Sequence, residues 1–244
     1  MKYTTGDKVP HVFTFICLQE FELHQKDFIL HPEKTGIIAE FKRRSPSAGI
    51  INDQSTIEEV TTGYFRSGAS GLSILTDESF FGGSVADLKR ARQLNSLPVL
   101  RKDFIIDEYQ VAEAKSYGAD AILLIAAALE VDQALNLARY AHSLNLEVLL
   151  EIHNEEELCY INEFTDIIGV NNRDLKTFKV DIDLSVNLAG KIPAGMVKIS
   201  ESGISSPLIF KRLRGCGFHG FLIGERFMRD PEPARAFSAF VEQL

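Results

Sequence analysis

The chain has 244 residues, 45% of them hydrophobic and 25% charged, with a formal net charge of −8 at pH 7. That length allows a large core, and the composition argues against disorder. The acidic balance disfavours a nucleic-acid partner, which would want a basic face, but leaves room for an anionic substrate held by a local cluster of Lys and Arg. The longest apolar stretch, Ala121 to Leu129, falls far short of the ~20 residues a membrane span needs, so no membrane partner is expected. Met1–Pro10 is polar and lacks the pattern of a secretory signal. Cys17, Cys159 and Cys216 form no CxxC and cannot all pair within one chain, which reads as reduced thiols in a cytoplasmic protein.

Residues 1–35 stand apart: weakly periodic, containing Phe and His, they read as a helical or irregular cap. From residue 36 short apolar runs alternate with longer stretches at helical period. The runs are Ile37–Phe41, Leu72–Leu75, Pro98–Leu100, Ala121–Ile125, Glu147–Leu150, Ile167–Val170, Met196–Ile199 and Phe221–Ile223. Each is rich in Ile, Leu and Val without clean alternation, as parallel strands covered on both faces should be. Between them, Ser55 with Glu58 and Asn154 with Glu157 fit capping boxes. Ser206-Pro207 and Asp230-Pro231 predict N-caps followed by Pro in the first turn. Gly68 and Gly118 mark helix ends. Gly68-Ala69-Ser70-Gly71-Leu72 and Gly118-Ala119-Asp120-Ala121-Ile122 are faint copies of one another, and strand starts recur at the spacing of one βα unit. Eight such units in one domain spanning 1–244 predict a closed α/β barrel, a (β/α)8 fold with a short N-terminal extension. An open doubly wound sheet would fit the same pattern.

In such folds the active site lies where strands end. The strand ends here carry Glu40 to Ser47, Arg101-Lys102-Asp103-Phe104, Glu151, Asn171-Asn172-Arg173-Asp174, Ser200 to Gly203, and Gly224-Glu225. Glu40 and Lys42 are two apart, so an extended strand points both to one face. Lys102, Glu151, Asn171 and Glu201 would converge on them from four further strands. A ring of salt bridges closing the barrel would explain any one of these residues equally well. It explains the whole set poorly, because taking several charges out of water is costly. Clustering should also lower a lysine pKa and raise a carboxylate pKa, which suits acid–base work near neutral pH.

Ser202-Gly203 and Gly224-Glu225 place small residues where backbone N–H groups can approach an anion, with 225–229 as a one-turn helix aimed at it and the Glu225 side chain turned away. Gly215-Cys216-Gly217-Phe218-His219-Gly220 matches GxGxxG literally. It follows a helix and leads into a strand, the reverse of a dinucleotide fingerprint, so it reads as a cap and turn. The histidines form no HExxH or close pair, and no metal site is expected. His153 reads as a loop residue. Phe81 and Phe104, in strand-end loops, are either core residues or a clamp on an aromatic substrate.

Ile38 to Ser47 resembles the first-strand signature of the indole-3-glycerol-phosphate synthase family. Leu100 to Ile105, Leu150-Glu151-Ile152, Gly169 to Leu175, Ser200 to Ile204 and Leu222 to Glu225 resemble its later segments, in the right order. The FKRRSPS and RKDF segments are the specific ones. The resemblance implies a TIM barrel that uses no cofactor and converts a phosphorylated small molecule, 1-(2-carboxyphenylamino)-1-deoxyribulose 5-phosphate, to indole-3-glycerol phosphate, carbon dioxide and water. It implies Lys102 as the acid that protonates the substrate ketone. Lys42 with Ser45 would hold the anthranilate carboxylate, and Glu151 and Glu40 would share proton transfer in dehydration with Lys42. Asn171 and Glu201 would position Lys102 and the substrate, and Arg173 would add positive charge. Ser202, Gly203, Gly224 and the amide of Glu225 would bind phosphate, while Phe81, Phe104 and Leu175 would pack on the ring. Other enzymes of tryptophan biosynthesis are the partners this implies. The family's longer basic helical segment, which helps cover the substrate, is matched poorly by Met1–His31. Phosphoribosylanthranilate isomerase, which needs a Cys/Asp pair, fits worse because no Cys stands at a strand end. A non-enzymatic scaffold would show gaps among these groups.

Overall fold

The computed structural model describes residues 23–244. Its centre is a closed barrel of eight parallel strands: β1 (Ile37–Phe41), β2 (Gly71–Leu75), β3 (Val99–Lys102), β4 (Ala121–Ile125), β5 (Glu147–Ile152), β6 (Ile167–Asn171), β7 (Val197–Glu201) and β8 (Gly220–Ile223). Neighbours in sequence are neighbours in space, and β1 closes the ring against β8, with Ile37, Ile38 and Ala39 facing Phe221, Leu222 and Ile223. This is the predicted TIM barrel, and the open-sheet alternative is excluded by that closing ladder.

Strand periodicity divides the side chains into two cores. Outward residues such as Ile37, Leu72, Val99, Ile122, Val148, Ile168 and Phe221 pack beneath the helices. Inward residues Ile38, Leu100, Leu123, Leu149, Ile167, Ile199 and Leu222 fill the barrel itself. The inward positions continue by steps of two toward the strand ends. Ile38 leads to Glu40 and Lys42, Leu100 to Lys102, Leu149 to Glu151, Ile167 through Gly169 to Asn171, and Ile199 to Glu201. The apolar filling of the barrel thus gives way to polar groups at the mouth.

The helices begin close to where sequence signals put them. In α2 (Ile57–Arg66) the cap is Thr56 with Glu59, one residue beyond the expected Ser55 and Glu58. The Asn52 side chain accepts from the Ser55 amide at 2.9 Å, which commits Ser55 to the preceding turn. Asn154 and Glu157 do exchange hydrogen bonds, but they open a 3-10 turn, Glu156–Tyr160, in place of an α-helix after β5. Ser206 caps α8 (Pro207–Gly215) as predicted. Asp230 does not start the last helix: its carboxylate accepts from the Glu232 amide at 2.9 Å, and the helix runs Pro233–Val241. The GxGxxG stretch ends α8, turns through Gly217 at φ +88° and enters β8, as read.

The expected N-terminal cap is helical over Gln25–Leu30, here α1; residues 1–22 lie outside the described residues. This helix sits at the floor of the barrel, away from the strand ends that carry the polar set. Ile29 joins the inner core. Glu147, at the start of β5, accepts the Gln25 amide and lies 3.9 Å from Lys26 Nζ. Among the described residues no helix is long and apolar enough to cross a membrane.

Candidate active site

At the C-terminal mouth the inward polar groups surround a cavity of about 780 Å³. Fourteen of the residues singled out from sequence line it together with Asn171: Glu40, Lys42, Ser45, Phe81, Lys102, Phe104, Glu151, Arg173, Leu175, Glu201, Ser202, Gly203, Gly224 and Glu225. Strand register explains the convergence. Glu151 pairs with Ile125 and Gly169, Asn171 pairs with Glu201, and Lys102 pairs with Leu75, so these side chains occupy similar heights.

Lys102 is the hub. Its Nζ lies 2.5 Å from Glu201 Oε2 and 3.3 Å from Glu151 Oε2. Asn171 Nδ2 donates to the other Glu151 oxygen at 3.1 Å. On the β1 side Lys42 Nζ lies 2.8 Å from Glu40 Oε1, and Ser73 Oγ donates to Glu40 Oε2 at 3.3 Å. Glu40, Glu151 and Glu201 are each at most 4% exposed.

Two glycines make room for these carboxylates. A Cβ on Gly169 would land against Glu201 Oε1, and one on Gly224 would come within 2.6 Å of Glu40 Oε1. Ion pairs this deep in the protein gain from the low dielectric only because opposite charges and donors meet them closely.

The electrostatics depart from the expected lowered lysine. Burial alone would lower Lys102, but the charges of Glu201, Glu151 and Glu40 outweigh it and hold the ammonium well above its ordinary value. Burial likewise opposes ionisation of Glu151, yet Lys102, His153 and Asn171 keep it below the usual carboxylate range. Glu201 goes the other way, pushed up to about 7 by burial and by repulsion from Glu151 and Glu40 against the pull of Lys102. Its Oε1 has no hydrogen-bond partner among the described residues. Two carboxylates beside one lysine are therefore shifted in opposite directions, the arrangement that separates proton donors from acceptors.

The segments expected to form an anion cup lie together where β7 and β8 end and line the cavity. Ser202 and Gly203 are consecutive left-handed residues, at φ +64° and +76°. Such a conformation is rare for serine, and both residues line the cavity. Gly224 then opens the one-turn helix Glu225–Met228, whose first amides have no intrahelical acceptor. The Glu225 side chain lies 3.1 Å from Arg173 and 2.7 Å from Arg229, both of which also line the cavity. Arg173 also donates to Ser47 Oγ at 3.2 Å, tying the β6 end to the β1 loop.

Phe81 is not in a loop: it ends a four-residue helix, Glu78–Phe81, capped by Asp77. Its ring lies 6.3 Å from Phe104, and Phe80 meets Phe104 edge-on at 6.1 Å. Phe104 and Leu175 are 41% and 46% exposed, so neither is a core residue.

Sequence reasoning missed three groups. Ser73 is directly opposite Glu40 in the β1–β2 ladder, a pairing visible only once register is known. Phe80 was passed over beside Phe81. His153 was read as a loop residue, and it is one, but its ring lies 3.2 Å from Glu151. Its place two residues beyond Glu151 on an inward-facing strand was the available signal.

A TIM barrel whose mouth gathers buried lysines and carboxylates around one cavity has the layout of an enzyme active site. Comparisons with known proteins narrow the class. The sequence profile of indole-3-glycerol phosphate synthase matches residues 18–240. The indole-3-glycerol phosphate synthase of Bacteroides thetaiotaomicron is 57% identical over 210 residues, 86% of this chain and 81% of that protein. That of Polaromonas naphthalenivorans is 47% identical over 206 residues, 84% and 78% of the two chains. Among solved structures, N-acetylmannosamine-6-phosphate 2-epimerase from Clostridium perfringens superposes with a TM-score of 0.65 over 93% of this chain and 99% of its own, at 15% identity. A mandelate oxidase variant with an FMN adduct gives 0.65 over 86% and 71%, also at 15% identity. At that identity these two speak for the fold alone.

The chain belongs to the indole-3-glycerol phosphate synthase family. Its members are carboxy-lyases of tryptophan biosynthesis that act on a phosphorylated small molecule.

Proposed function

We propose that this chain closes the indole ring of indole-3-glycerol phosphate from 1-(2-carboxyphenylamino)-1-deoxyribulose 5-phosphate, with the mouth residues in the following roles. The observation that carries the reading is Lys102 held as an ammonium between Glu201 and Glu151 inside a cavity also lined by Ser202, Gly203 and Gly224. The substrate phosphate would sit on the amides of Ser202, Gly203, Gly224 and Glu225. The aromatic ring would lie toward Phe81, Phe104 and Leu175. Its carboxylate would meet Lys42 and Ser45, with Arg173 adding positive charge.

As the ring carbon bearing the carboxylate attacks the ketone, the ketone oxygen gains charge. Lys102 delivers a proton to it, and the oxygen becomes a hydroxyl. Carbon dioxide then leaves, returning its bonding electrons to the ring. Dehydration requires one group to protonate the departing hydroxyl and another to accept a proton from the new ring. Lys42, paired with Glu40, and Glu151 across the same cavity serve these transfers, with Asn171 and Glu201 holding Glu151 and Lys102 in place. Proton transfers of this kind contribute roughly 10²–10⁴-fold each.

The reaction would take place in the cytoplasm, in keeping with a biosynthetic role and thiols placed singly, and beside other enzymes of tryptophan biosynthesis. Indole fluorescence tests the assignment directly. Purified chain given the carboxyphenylamino substrate should generate indole emission; absence of product would refute the activity.

A further inference from the structure

His153 has no part in the roles above, yet it is built into the site. Its side chain is 11% exposed. Nε2 lies 3.2 Å from Glu151 Oε1, and Nδ1 lies 3.4 Å from Glu157 Oε2. Glu157 is itself fixed: its Oε2 accepts the His153 amide at 2.7 Å, and its Oε1 accepts from Asn154 Nδ2 at 2.9 Å. The ring therefore lies at ion-pair distance from two carboxylates, one in the cavity and one behind it, without a hydrogen bond of its own among the described residues. The two oxygens of Glu151 are thereby divided. Oε2 faces Lys102, while Oε1 faces Asn171 and His153.

We propose that His153, braced by Glu157, is a positioning residue that fixes the Glu151 carboxylate as an anion with Oε2 turned toward Lys102 and the substrate. The inference rests on the reading of Glu151 as a group that exchanges protons during dehydration. Geometry separates this role from a merely structural one. The turn after β5 is already secured by the Asn154–Glu157 pair and by the His153 amide. The imidazole adds to that turn only its Nδ1 contact with Glu157; its Nε2 lies against Glu151.

Charge supports the same conclusion. Burial opposes protonation of the ring, but Glu151 and Glu157 outweigh it and push His153 up to about 9, so it is a cation at neutral pH. The charged groups facing Glu151 are Lys102 from β3, Glu201 from β7 and His153 from its own strand end, with Glu40 acting from β1 on the same lysine. Those facing His153 are Glu151 and Glu157. Lys102 is shared with Glu201, and His153 with Glu157, so His153 is the second cation beside Glu151.

The test uses the full chain. In ¹⁵N-histidine-labelled protein, the His153 ring, assigned by its loss in His153→Gln, should be doubly protonated at pH 7.5; a neutral ring overturns the proposal. In His153→Gln, kcat should fall about tenfold while KM stays within about twofold. The acidic limb of kcat/KM should move up by about one pH unit, the shift expected on losing one adjacent opposite charge. Glu157→Gln removes the brace, so the ring loses its proton at lower pH. That variant should follow the parent at pH 6 and His153→Gln at pH 8, and it decides the matter if His153→Gln does not fold. Unchanged kcat and an unmoved acidic limb in an active protein would overturn the proposal and leave the synthase reading intact. A parent chain without turnover would overturn the synthase reading, while the ring titration would still decide the state of His153.

Discussion

The ammonium of Lys102 rests 2.5 Å from Glu201 Oε2, and the two side chains come from β3 and β7, on opposite sides of the ring. The contact spans the barrel just above its apolar filling. Its first consequence is that Lys102 is charged when substrate arrives. Lys102→Ala should lower kcat by about 10³-fold with little change in KM, as expected for an interaction made in the transition state. Steady-state kinetics by indole fluorescence measures both constants; near-normal turnover would remove Lys102 from the chemistry.

Glu201→Gln retains the size of the side chain and removes its charge. Glu201 is one of the charges that hold the Lys102 pKa up against burial, so its loss lets burial pull that pKa down. The basic limb of the kcat profile should move to lower pH, and kcat should fall by about 10- to 100-fold as one member of the charged network is lost. A basic limb identical to the parent's would show that Glu201 does not set the state of Lys102.

Gly169→Ala probes the same contact without touching a charged residue. The new Cβ would occupy the place of Glu201 Oε1 and drive the carboxylate off Lys102. Overpacking of this kind costs about 1–3 kcal/mol of stability. Urea unfolding should register that loss, and turnover should fall further than the small stability change accounts for in a protein that remains folded. Parent-like turnover would mean that Glu201 can move without consequence.

The anion cup predicts that inorganic phosphate competes with the substrate. Gly203 combines a φ of +76° with a neighbour, Val180, that would collide with an added Cβ. Gly203→Ala should therefore raise KM by about tenfold or more, equivalent to losing about 1.4 kcal/mol of binding, and weaken phosphate inhibition in parallel. Unaltered phosphate inhibition would place the phosphate elsewhere.

At the floor, burial first and then repulsion from Asp166 push Glu147 up to about 7, against the pull of the Gln25 amide and Lys26. The folded state thus binds this proton more tightly than the unfolded state. The resulting stability is fully present below the unfolded value near 4.5 and is lost as pH rises through 7. A shift of that size corresponds to something on the order of 3 kcal/mol. Glu147→Gln should flatten this dependence, so that the variant's melting temperature gains on the parent's between pH 5 and pH 8. A constant difference across that range would argue against the titration.

The barrel was legible because its signal is repeated eight times: a run such as Ala121–Ile125 is ambiguous alone, but not as one of eight at regular spacing. The polar mouth is legible because its charged members lie at or just past the end of such a run. Register was not legible. The pairing of Ser73 with Glu40 depends on how two strands slide past each other, and no local pattern encodes that. Electrostatic state was not legible either. Lys102 was expected to be lowered because lysines and arginines crowd the strand ends in sequence, whereas in space its nearest charges are carboxylates. The caps shifted by a residue or two: Asn52 claims the Ser55 amide, and the Asp230 carboxylate takes the Glu232 amide in the turn ahead of the last helix.

Glu147 and Glu151 are the same amino acid on the same face of one strand, about 13 Å apart at 3.3 Å per residue, with Leu149 between them. One is raised and the other lowered. The apolar layer acts as an electrical insulator between two circuits: protonation at the floor governs how firmly the chain stays folded, and protonation at the mouth governs what it does. A lineage under acid or thermal stress can therefore rewire the lower circuit without retuning the upper one, and an engineer can do the same.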